Sequence, residues 1–159
     1  VGEGSVSREY YGLVRRTNRM GNQGPNSIKK GGGDDVRLQV TIPARESGLI
    51  DDSDRAEVIA WGFDGLILVI GRWVHMGYRA DLVSKAAGYT ESIYGGHEVA
   101  ITQAGHGYQV NLPVAKSAGF EVGDDAPVVT ADRLLIIHDG TQGQIAEDLA
   151  TIRREQGHD

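Results

Sequence analysis

The stretch YQVNLPVAKSAGFEVGDD, Tyr108 to Asp125, decides how this chain is read, because LQVTIPARESGLIDDSD, Leu38 to Asp54, repeats its punctuation. In the later copy HEVAITQ and YQVNLP are short runs with β-branched residues, and the AGHG between them suits a hairpin turn. Pro113 ends the second strand because it has no N–H for a ladder, and its fixed φ suits the first turn of a helix. PVAKSA allows little more than one helical turn before Gly119, which is placed as a left-handed cap. Phe120 and Val122 return to the core, GDD turns the chain, and APVVT and RLLIIHD follow as two strands around Ala131-Asp132. The unit reads β-β-α-β-β.

The earlier copy keeps the order. Pro43 opens PARES, Gly48 closes it, Leu49 and Ile50 re-enter, and RAEVIAW and LILVIG pair across GFDG. The strands before Pro43 are expected in YYGLVRRT and VRLQVTIP, separated by the long NRMGNQGPNSIKKGGGDD. A unit of about 40 residues with open hairpin edges buries too little apolar surface to fold alone. Two copies in one chain supply each other's missing face. The expected fold is mainly β with short helices: a duplicated β-β-α-β-β barrel acting as an intrachain pseudo-dimer. Its parts are a first repeat at residues 8–72, a linker at 73–96, a second repeat at 97–139 and an amphipathic C-terminal helix at 140–159.

The composition sets outer limits. The 159 residues are 40% hydrophobic, enough for a core, and no apolar run approaches the roughly 20 residues of a membrane helix. The absence of cysteine removes disulfides, thiolate metal sites and cysteine nucleophiles together. No charged-then-apolar leader is legible, and the expected compartment is the cytoplasm. The net charge of −6 is unevenly spread: residues 1–37 carry seven bases against four acids, leaving an acidic body. A basic start on an acidic body can hold a polyanion locally while the rest repels it.

A strand ending in QVNLP, a short helix, a glycine, then VGD and two strands ending LLII resemble the swapped-hairpin domain of the SpoVT/AbrB and MazE family. The likeness covers His97 to Asp139 well and Tyr11 to Arg72 more loosely. It implies an interleaved β-barrel built from two units, and binding to double-stranded DNA as a transcription regulator or an antitoxin. It also implies that the loop joining the first two strands, with the basic residues beside it, faces DNA. The later hairpin departs from that pattern, since TQAGHGYQ holds no arginine or lysine. The earlier one is basic. Arg15, Arg16, Arg19 and Arg37 are candidates for forked phosphate contacts, Lys29 and Lys30 for mobile ones, and Asn18 and Asn22 for contacts to base edges.

Other signals are weaker. GPNSIKKGGG lacks the order of a phosphate-binding loop, the five histidines show no HExxH or other regular ligand spacing, and no serine lies in a GxSxG setting. Neither catalysis nor a metal or other cofactor is expected. In the linker RADLVSKAAG suits a two-turn helix closed by Gly88, and Trp73, Tyr78, Tyr89 and Tyr94 suit the covering of a barrel end. In GQIAEDLATIRREQG, Ile145, Leu149 and Ile152 fall at i, i+4 and i+7, an apolar stripe suited to the chain's own barrel or to a protein partner or second copy. That stripe supports an alternative reading, an antitoxin or regulatory interaction module with little or no DNA binding.

Overall fold

The computed structural model describes residues 26–30, 36–51 and 53–156. β1 (Asn26–Lys30) and β2 (Val36–Gln39) form a hairpin, followed by α1 (Thr41–Glu46). β3 (Arg55–Phe63) and β4 (Leu66–Gly71) pair across Asp64-Gly65. α2 (Met76–Thr90) leads into a second hairpin, β5 (Tyr94–Ala104) with β6 (Gly107–Leu112). β7 (Asp125–Ala126) and β8 (Val128–Ala131) flank Pro127, β9 (Leu134–His138) pairs with β8, and α3 (Gly143–Glu155) is the last described element.

The described strands make one antiparallel sheet in the order β7-β1-β2-β6-β5-β3-β4-β9-β8. Its two ends, β7 and β8, are neighbours in the chain, so the sheet curls back toward itself in a barrel-like form. Proline explains the break between them: Pro127 has no N–H to donate, and its carbonyl accepts from His138 N at 3.0 Å instead. The fold is therefore mainly β, with a curled antiparallel sheet and a few short helices.

Strand alternation divides the apolar residues between two cores. Val36, Leu38, Val58, Ile67, Val69, Ile101, Val110, Leu135 and Ile137 fill the hollow of the curled sheet. Leu66, Leu68, Ile70, Leu134 and Ile136 point the other way and meet Leu82 and Ala86 of α2 and Leu149 and Ala150 of α3. β4 and β9 thus lie between two apolar layers, which is why LILVI and LLII are unbroken runs. The helices cover the back of that strand pair. No helix among the described residues is long and apolar enough to cross a membrane.

Several local expectations change. The strand antiparallel to β2 is NSIKK, inside the segment expected to be hairpin loop, because Ile28 supplies an inward residue opposite Leu38. YYGLVRRT lies outside the described residues. PVAKSA forms consecutive turns rather than a helix, with Ala118 N donating to Val114 O at 3.0 Å and Gly119 N to Lys116 O at 3.0 Å. Gly119 still takes the expected left-handed conformation, with φ 95°, as Gly48 does with φ 83° after α1. α2 runs through Gly88 and stops at Glu91, itself left-handed with φ 62°, after Thr90 Oγ1 has donated to Ala86 O at 2.9 Å. Trp73, 79% exposed, does not cover a barrel end.

Candidate nucleic-acid interface

The outer face of β1-β2-β6-β5 follows from alternation. Ile28, Leu38, Val110 and Ile101 stand opposite one another along the register and are buried, so the residues between them face outward. Two polar rows result. In one, Gln39 pairs with Gln109, Gln109 with Thr102, and Thr102 with Arg55. In the other, Arg37 pairs with Asn111. Gln39 and Asn111 are exposed, while Arg37 and Gln109 are half-buried.

The cations of the sheet differ in availability. Arg55 Nε lies 3.0 Å from Glu57, and Arg72 reaches Glu57 at 3.3 Å and Glu98 at 3.4 Å while stacking on Trp73 at 5.3 Å. The hydrogen bond and charge of Arg55, helped by Arg72, hold the exposed Glu57 carboxyl below the usual carboxylate range. These two guanidiniums are already neutralised locally. Arg37 has no such partner among the described residues, and its Nε is buried without a hydrogen bond. Gln109 Oε1 is also buried without one. An unmet donor and an unmet acceptor therefore lie on neighbouring strands of one face, and each unmet buried group costs about 1–3 kcal/mol unless something satisfies it.

Of the expected DNA contacts, Arg37 lies on this face and Lys29 is its register partner, with Lys30 next along β1. Arg15, Arg16, Asn18, Arg19 and Asn22 lie outside the described residues. The stripe offered to a partner is turned inward: Leu149 is fully buried, and Ile145 and Ile152 pack against the second core. Arg153 completes that anchoring, its Nε donating to Asp132 O at 2.9 Å and its guanidinium lying 5.4 Å from the Tyr78 ring. The described residues hold no group of three or more His, Cys, Asp or Glu able to take a metal ion. His138 is buried, and its Nδ1 accepts from Gly140 N at 3.0 Å.

Sequence reasoning passed over Gln39, Gln109 and Asn111. Their signal was legible in LQV and YQVNL, where amides alternate with aliphatic residues, but attention to the basic segment and its neighbouring asparagines hides uncharged side chains further along the chain. Comparison with family models, with curated proteins and with solved structures found no match.

Proposed function

We propose that the chain is an AbrB-like, duplicated swapped-hairpin protein that binds double-stranded DNA and regulates transcription from the cytoplasm. The observation that carries the reading is the pairing of unlike halves at matched spacing. Gln39 stands opposite Gln109, 70 positions later, which is also the spacing of Pro43 and Pro113. Leu68 stands opposite Ile136, 68 positions later. β3 pairs with β5 while β7 pairs with β1, so each hairpin extends the other half's sheet. Two similar units related by a two-fold axis would produce these pairings.

DNA is the ligand this reading favours because the outer face beside that register is polar and is joined to the chain's basic segment. Phosphate contacts scale with the cations that can reach the backbone. Arg15, Arg16, Arg19, Lys29, Lys30 and Arg37 supply them in this reading, with Asn18 and Asn22 at base edges.

The test is binding to genomic duplex fragments at two salt concentrations, with bound fragments sequenced. Replacing Arg15, Arg16, Lys29 and Lys30 with alanine is expected to weaken binding at low salt and to flatten the slope of log affinity against log salt by about 3 to 4. An unchanged slope would remove these residues from the interface, and no binding to any fragment would remove DNA as the ligand.

A further inference from the structure

We propose that the β2·β6 ribbon reads base edges in the major groove of an asymmetric site, Arg37 taking guanine and Gln39, Gln109 and Asn111 taking adenine. The proposal rests on the DNA-binding reading and adds to it the residues that would confer specificity.

Chemistry singles out this set. The side chains that make two-pronged contacts to single bases are arginine with guanine, and asparagine or glutamine with adenine. The four outward positions at the centre of β2·β6 hold only these types: Arg37 opposite Asn111, and Gln39 opposite Gln109. A surface serving solubility alone would draw on lysine, glutamate and aspartate, and none occurs at these four positions.

Geometry agrees. A two-stranded antiparallel ribbon fits the major groove. Because the sheet curls around the core containing Leu38 and Val110, its outer face is convex and β2·β6 forms the crest between β1 and β5. Residues two apart on one strand stand about 7 Å apart, close to two base steps of about 3.4 Å each. Gln39 and Asn111 stand exposed on this crest, with the half-buried Arg37 and Gln109 beside them.

The crest is also lopsided. Arg37 and Asn111 lie two residues to one side of the Gln39–Gln109 pair. Two residues to the other side stand Thr41 and Gly107, where a Cβ on Gly107 would collide with the Thr41 hydroxyl, which instead accepts from Tyr108 N at 2.6 Å. Base-reading groups therefore extend one way only from the central pair. The bound sequence is non-palindromic, with guanine to one side of an adenine-bearing centre.

The experiment is selection of duplexes from a random pool by the full chain and by Gln39→Ala, Asn111→Ala, Gln109→Ala and Arg37→Ala. The wild type is expected to enrich one motif without two-fold symmetry. Each amide variant relaxes about one position, losing roughly 5- to 150-fold of discrimination there, while affinity for mixed-sequence duplex and its salt slope stay as in the wild type. Gln39 and Asn111 are exposed, so their variants keep the sheet and carry the test even if Gln109→Ala loosens it. A motif unchanged in both exposed variants, a palindromic motif, or binding without sequence preference would overturn the ribbon proposal while leaving DNA binding intact. Absence of duplex binding by the wild type would overturn both.

Discussion

His138 is the described side chain whose burial most changes its chemistry. It ends β9 at 7% exposure, with Nδ1 already accepting from Gly140 N, so the ring is built into the fold as a neutral acceptor. Burial pushes its pKa from 6.5 down to about 4, against the opposing charge of Asp139. Above pH 6.5 the ring is neutral in both folded and unfolded chains and stability does not depend on it. Between pH 6.5 and about 4 the unfolded chain binds the extra proton, so stability falls as pH falls. The loss is complete below about 4 and amounts to about 3 kcal/mol from the two pKa values. Urea titrations across this range are expected to show that slope. In His138→Asn, where Oδ1 can replace Nδ1 as acceptor without titrating, most of it should vanish; an equal slope would assign the acid sensitivity to other groups.

At the scale of elements, α3 separates packing from periodicity. Leu149→Ala removes a fully buried side chain between α2 and the β4·β9 pair and is expected to cost about 2–5 kcal/mol. Ile152→Ala, at a half-buried position, should cost less in the same thermal or urea unfolding series. Equal costs would mean that the helix is not seated through Leu149. The i, i+4, i+7 stripe made this helix readable from sequence, and the continuous apolar runs made β4 and β9 readable. What periodicity could not tell is which surface receives the stripe, since an inward face and a partner-binding face share one pattern. The first hairpin was harder. Ile28 is a single buried apolar residue amid asparagine, serine, lysine and glycine, and it becomes a strand residue only because Leu38 stands opposite. The turn at 113–119 failed as a helix for a related reason, since a proline and a glycine six positions apart suit a cap-to-cap helix and a string of turns equally well. Residue Arg133 shows the limit in miniature: it sits at φ 54° in the β8–β9 turn, where the β3–β4 turn has Gly65 at φ 74°, and nothing in ADRL marks the left-handed position. Its backbone N–H is held by Ser47 O at 2.7 Å, as Gly65 N is by Ala118 O at 2.8 Å. Contacts between distant segments fix both turns, and no local window contains them. The candidate interface was legible only in part for the same reason, because Arg37, Gln39, Gln109 and Asn111 become neighbours only through a pairing that spans some seventy positions.

Over the described residues, hairpins from before and after Ser92 alternate in the sheet. β2 lies against β6, β3 against β5 and β4 against β9, so cutting the chain between Glu91 and Ser92 would leave each half with strand edges that the other covers. Both cores cross the same point: Leu38 and Val58 meet Val110 and Ile137, and Leu82 meets Leu149. Neither fragment, residues 1–91 or 92–159, retains a closed apolar interior, and each should remain unfolded or aggregate through its open strands when made alone. Made together they are expected to form a one-to-one complex with the circular dichroism of the intact chain. Its stability should depend on concentration, because the linker through α2 supplies the high effective concentration that turns association into folding. Mixing the separately purified fragments at increasing concentration, with folding followed by circular dichroism and stoichiometry by sedimentation, measures this directly. A fragment that folds cooperatively alone would mean that one half holds a self-sufficient core, and the interleaved strands would then be a docking of two domains rather than a single cooperative unit.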